Sequence, residues 1–104
     1  MSQHLVSTTL NEKPIEIMLG WDRPLQHFYM APLAPEDYFE DDESSEAIAF
    51  FNAFSALSVQ ATYAEGTAKL RELVARLQVA IPAEVFIEVE KDGCQNIGNR
   101  IQRW

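Results

Sequence analysis

Ile15-Glu16-Ile17-Met18-Leu19-Gly20-Trp21 decides the fold class, because its apolar residues return at every second position. Ile15, Ile17, Leu19 and Trp21 fall on one side of an extended chain, and Glu16, Met18 and Gly20 on the other. That spacing predicts a strand with one apolar face and one mixed face. Upstream, residues 4–10 are rich in β-branched side chains and place Val6, Thr8 and Leu10 at the same period, which predicts a first strand. Asn11-Glu12-Lys13-Pro14 lies between the two. Asn tolerates tight turns and Pro cannot donate within a central ladder, so the pair reads as an antiparallel hairpin. Downstream, Gly20-Trp21-Asp22-Arg23-Pro24 breaks the alternation. Residues 25–33 resume it with His27, Phe28, Tyr29 and Met30, predicting a third strand closed by Pro32 and Pro35.

Beyond the meander the period changes. Phe50, Phe54, Leu57 and Ala61 are spaced i, i+4, i+7 and i+11, predicting a helix over residues 47–60 with Ser44 or Ser45 as its cap. Thr62-Tyr63-Ala64-Glu65 matches a capping box and predicts a second helix to about residue 79, striped by Leu70, Leu73, Val74, Leu77 and Ile81. Residues 82–93 carry two patterns. Val85, Ile87 and Val89 alternate like a strand, while Pro82 at a first helical position, Gly93 at a C′ position and the Val85/Phe86/Val89 patch favour a short helix. The helix is the reading adopted, and residues 97–104 then predict a final strand. The expected architecture is one α+β domain over residues 1–104. Its three- to four-stranded, mainly antiparallel sheet, an N-terminal meander plus a C-terminal strand, is packed by two or three helices.

The bulk composition narrows the function classes. A chain of 104 residues, 47% hydrophobic, makes one core with little room left for a deep cofactor cleft. The formal charge is −8, so direct binding to a nucleic-acid backbone, which depends on Lys and Arg, is not expected. Eleven acids and two bases precede Lys69, whereas five acids and six bases follow from it. That asymmetry suits a protein partner with a basic face. One cysteine precludes an internal disulfide, and neither a signal peptide nor a membrane span is read, so a cytoplasmic location is expected and no membrane partner.

Chemistry-bearing motifs are few. His4, His27 and Cys94 are scattered, without CxxC or HExxH, and the acidic run lacks the central Gly of a calcium loop, so no metal is expected. Gly20, Gly66, Gly93 and Gly98 form neither GxGxxG nor a P-loop, and no cofactor is expected. One nucleophilic arrangement is conceivable, Cys94 activated by His27 and oriented by Asp22, and it stands as an alternative reading as a small Cys/His enzyme.

Seven of the eleven residues from Glu36 to Glu46 are acidic. The run reads either as a solvated loop before a helix or as a docking surface, with Tyr38 and Phe39 as anchors among Asp41, Asp42 and Glu43. The Phe50/Phe51/Phe54 stripe reads as core or as a homodimer interface. Two further segments, residues 20–26 and 96–100, set hydrogen-bonding side chains beside a glycine. Trp21 offers a flat anchor, Arg23 and Arg100 offer forks for carboxylates, and Gln26 and Asn99 offer amides. The structural alternative pairs Asp22 with Arg100 and places Trp21 in the core.

Gly-Trp-Asp-Arg-Pro-Leu-Gln at 20–26, Ile-Pro at 81–82 and Gly-Asn-Arg at 98–100 resemble a recurring pattern in small uncharacterised bacterial proteins. The resemblance implies a bacterial cytosolic origin and a meeting of the two ends of the chain in space. It implies no activity. The expected function is a non-enzymatic protein-binding module, such as an inhibitor, immunity-type or adaptor protein. An acidic decoy mimicking nucleic acid is a further alternative.

Overall fold

A computed structural model describes residues 1–34 and 45–104. Strands β1 (Ser2–Leu10), β2 (Lys13–Asp22) and β3 (His27–Leu33) form the antiparallel meander that the alternation predicts. Leu10 pairs with Lys13, leaving Asn11 and Glu12 as a two-residue turn with φ of 50° and 69°. Positive φ at both positions gives the turn a twist that matches the strands it joins.

Helix α1 (Ser45–Ala56) follows, then strand β4 (Val59–Thr62), helices α2 (Ala68–Arg76) and α3 (Ala83–Cys94), and strand β5 (Arg100–Arg103). Among the described residues the sheet has five strands in the order β4-β3-β2-β1-β5. It is mixed, because β5 runs parallel to β1, with Ser2 opposite Arg100 and Leu5 opposite Arg103. The α+β class stands as expected. The three- to four-stranded count is corrected to five, and β4 is the strand that residue spacing missed.

The apolar period over 47–60 overruns the helix. Hydrogen bonds from Leu57 and Ser58 to Phe54 and Ser55 close its last turn, and the chain then extends so that Ala61 packs as a strand residue against Phe28. The capping box does form. Thr62 N–H donates to Glu65 Oε1 at 2.9 Å, and Glu65 N–H donates to Thr62 Oγ1 at 3.2 Å. It closes a turn and not a helix, since Gly66 at φ +65° follows and α2 begins at Ala68. Within residues 82–93 the helix is the element that forms, with Pro82 as its N-cap and not its first helical residue. Gly93 is not the C′ residue expected of it, because α3 continues through Cys94.

Strand alternation assigns the two faces of the sheet. Val6, Leu10, Ile15, Ile17, Leu19, Trp21, Phe28, Met30 and Ala61 are buried on one face with Phe50, Leu57, Leu70, Leu73, Val74, Val85, Phe86 and Val89 from the helical side. The other face carries Leu5, Met18, Asp22, His27, Tyr29, Ala31, Leu33, Ile101 and Arg103. No helix covers it among the described residues. Of the phenylalanine stripe, Phe50 is buried, Phe54 half-buried and Phe51 exposed.

Helix α3 lies over β1, β2 and β3 at a spacing that Gly93 sets. A Cβ on Gly93 would sit 2.6 Å from the Phe28 ring and 3.3 Å from the Trp21 ring. Two effects oppose each other at this position. Helix propensity favours Ala over Gly by about 1 kcal/mol, whereas forcing a methyl into a packed interface costs about 1–3 kcal/mol. Both rings are almost fully buried and have nowhere to go, so Gly93→Ala is expected to lower the urea midpoint of unfolding. A raised midpoint would mean that the helix can lift off the sheet.

Candidate functional site

The two segments singled out by sequence meet, and the end of α3 is what brings them together. Asn96 occupies the left-handed region with φ 51°. Its N–H donates to Gly93 O at 3.1 Å and Ile97 N–H donates to Asp92 O at 2.9 Å, which is a Schellman ending with Asn at C′. The reversal aims the Asn96 carboxamide back at the β2–β3 turn. Its Oδ1 accepts the Trp21 indole N–H at 3.0 Å and the Gln26 amide at 2.9 Å. Gln26, itself at φ 54°, also donates to Arg23 O at 2.7 Å. The Arg23 side chain runs past Gly98, where a Cβ would lie 3.0 Å from its terminal nitrogen.

These contacts sort the sequence-derived residues. Trp21 is 1% exposed and is a core side chain, so it does not serve as a surface anchor. Gln26 is spent on the turn and on Asn96. Asp22 does not pair with Arg100; its Oδ1 accepts Leu25 N–H at 3.3 Å, and its side chain belongs to the uncovered face. Asn99 accepts from the Met1 ammonium at 3.4 Å. Tyr38, Phe39, Asp41, Asp42 and Glu43 lie outside the described residues. Asn96 lies within the 96–100 segment, yet only its position after a helix of the right length marks it as the latch.

Arg100 turns toward a buried cluster that the sequence did not single out. It donates to Asp92 Oδ1 at 2.7 Å, Glu88 Oε2 at 3.3 Å and Gln102 Oε1 at 2.6 Å. Asp92 Oδ2 lies 2.6 Å from His4 Nε2, and the Trp104 indole N–H donates to His4 Nδ1 at 3.1 Å. An indole N–H can only donate, so Nδ1 is the acceptor and the proton of a neutral His4 sits on Nε2, facing Asp92. Desolvation opposes the Arg100 charge, but the Asp92 and Glu88 carboxylates outweigh it and hold its pKa above the ordinary value. His4 and Asp92 are 0% exposed, and their hydrogen bonds tie β1, α3 and β5 together.

The Cys94–His27–Asp22 arrangement is not assembled. Cys94 is exposed at the end of α3 and shares a hollow with Phe28, Tyr63 and Ile87 on the helical side. A hydrogen bond to the Cys94 sulfur, with the charge of its thiolate, pushes the Tyr63 phenol upward. His27 and Asp22 pair across β2 and β3 and line a different hollow, of about 450 Å³, on the uncovered face. Tyr29 lies there too. Its hydroxyl donates to Ser2 O at 2.6 Å, beside Gly20, where any Cβ would collide with that same carbonyl at 2.0 Å. Burial, followed by the negative charge of Asp22, pushes Tyr29 up to about 12.

Two outcomes are expected from this geometry. Asn96→Gly supplies the residue best suited to C′ but removes the acceptor of a buried indole N–H. It should therefore destabilise the protein by about 1–2 kcal/mol in urea unfolding, whereas no loss would make the latch incidental. Tyr29 retains its proton in the folded chain above the pH at which an unfolded tyrosine releases it. Its contribution to stability is thus full below about pH 10 and is lost as pH rises toward about 12. Ultraviolet phenolate titration of the protein and of Tyr29→Phe should differ by one late-titrating group, and identical curves would contradict this.

Compared with protein-family models, with curated proteins and with solved structures, the chain matches none.

Proposed function

We propose that this chain is a small non-enzymatic protein-binding module, of the inhibitor, immunity-type or adaptor kind, and that the uncovered face of its sheet is the contact surface. The observation that carries this reading is the distribution of apolar groups across that face. Ile101 is 72% exposed, and Leu33 and Met1 are exposed with it, while Leu5, Met18 and Ala31 are half-buried on the same side. Single exposed apolar residues need no explanation, but several on one sheet face are characteristic of an interaction surface.

Charge selects the partner. The chain carries a formal −8, and on this face Asp22 makes no ion pair among the described residues, whereas Glu16 meets Arg103 at 3.2 Å. A partner that is apolar at its centre and basic at its rim complements both features. The decoy reading draws less support. Glu65, Glu88, Glu90 and Asp92 are engaged within the chain and are not arrayed along a surface.

The test is affinity capture from the native host lysate at low and high salt with three baits. They are the parent chain, a Leu33→Glu/Ile101→Glu variant of the uncovered face, and Ile87→Glu on the exposed side of α3. A stoichiometric partner with a basic surface should be held by the parent and by Ile87→Glu and weakened at high salt. It should bind the face variant at least about tenfold more weakly. Equal recovery by all three baits would refute the face. Recovery of the bait alone would replace the foreign partner with a second copy of this chain, to be checked by sedimentation.

A further inference from the structure

The hollow on the uncovered face is built as if a positive charge were missing from it. Met18 and Ala31 line it with apolar surface, and Asp22, His27, Tyr29 and Gln60 bring polar groups to the same space of about 450 Å³. The groups around it point the same way. The half-buried Asp22 carboxylate accepts one weak hydrogen bond, from Leu25 N–H at 3.3 Å, and meets no cation among the described residues. Its neighbour Arg23 runs past Gly98, and the Met1 ammonium, whose residue also lines the hollow, is engaged by Gly98 O and Asn99 Oδ1. His27 Nδ1 is closed off from solvent and has no hydrogen-bond partner among the described residues. Tyr29, whose hydroxyl is already committed to Ser2 O, is held protonated by burial and by the charge of Asp22, as a dry and negative environment requires.

We propose that this hollow receives a basic side chain of the partner, its charged head on Asp22 and its aliphatic stem along Met18 and Ala31. The inference rests on the protein-binding reading above for the source of the cation, and on the hollow itself for the chemistry. An anion would be repelled by Asp22. A purely apolar group would seal the carboxylate from water without giving it a donor, which is costly. A lysine or arginine meets both demands, since its methylene stem buries well while its head keeps a charge-assisted hydrogen bond.

The hollow can be tested without the partner. The full chain is titrated with n-butylammonium, n-butylguanidinium and neutral n-butanol while the Ala31 methyl and His27 ring resonances are followed by NMR. Saturable shifts are expected with the two cations and not with n-butanol. They should weaken about tenfold in Asp22→Asn and stay unchanged in Glu90→Gln, on the helical side. Asn retains an oxygen for Leu25 N–H, so the turn is kept. The absence of saturable shifts, equal shifts with n-butanol, or undiminished binding in Asp22→Asn would each overturn the proposal. The captured partner then identifies the source. A loss of about tenfold in its affinity for Asp22→Asn supports a basic side chain in the hollow. Equal affinity refutes this occupant while leaving the face reading intact, and amine binding with no captured protein rules out the partner as the source.

Discussion

Both oxygens of the Asp92 carboxylate are spent inside the protein, one on His4 Nε2–H at 2.6 Å and the other on Arg100 at 2.7 Å. Those two contacts join the first strand, the last helix and the last strand, which nothing else in the local sequence obliges to meet. Strand β5 is four residues long and leaves Ile101 exposed, so apolar burial gives it little reason to lie beside β1. Its placement is instead fixed by Arg100 at one end and by Trp104 at the other. Trp104 donates its backbone N–H to Leu5 O and its indole N–H to His4. This latch costs about 1–3 kcal/mol to break, because losing His4 or Arg100 leaves an oxygen of the buried Asp92 carboxylate without a donor. Its consequence is register, and register decides which residues of β5 face outward.

The meander was legible because its physics is local. Alternation over residues 15–21 follows from burying one face of a strand, and the turn at Asn11-Glu12 follows from backbone conformations that Asn tolerates. Strand β4 was not legible. The residues that pack Ala61 against Phe28 have the same spacing as a helical stripe, and four residues are too few to establish a period of two. The capping box at Thr62–Glu65 failed for a related reason. Its reciprocal hydrogen bonds satisfy a turn as well as they satisfy a helix, and the sequence pattern does not distinguish the two. The final strand was legible, but its parallel pairing with β1 was not, since that pairing is set by a crossover through α3 and not by any adjacent turn.

The segments at 20–26 and 96–100 were rightly read as neighbours, yet their conspicuous side chains are mostly spent on the fold. Trp21 and Gln26 share one carboxamide oxygen, and Arg100 serves the Asp92 latch. What sequence could not show is that a lone carboxylate in the same motif faces the other way. Asp22 differs from Trp21 by one position, and one position on a strand is a change of face. Its surroundings come from β3 and β4, whose register is a tertiary fact. The Cys94–His27 arrangement fails on the same ground, with its members on opposite sides of β2 and β3.

Alternation also says where function has room to reside. On the covered face every strand residue is answerable to a helix, and Gly93 shows how little freedom is left there: a single methyl group would strike Phe28. Gly20 and Tyr29 apart, the uncovered face carries no such obligation. A polar residue at 101 or 33 would satisfy the same backbone hydrogen bonds, so folding does not require the isoleucine and the leucine found there. Nor does folding require Asp22 to lack a cation among the described residues while Glu16, on the same strand and face, has Arg103. On this face the residues that the fold does not use, with an apolar centre and a charge unanswered among the described residues at one end, are more economically explained by an outside contact than by the stability of the chain.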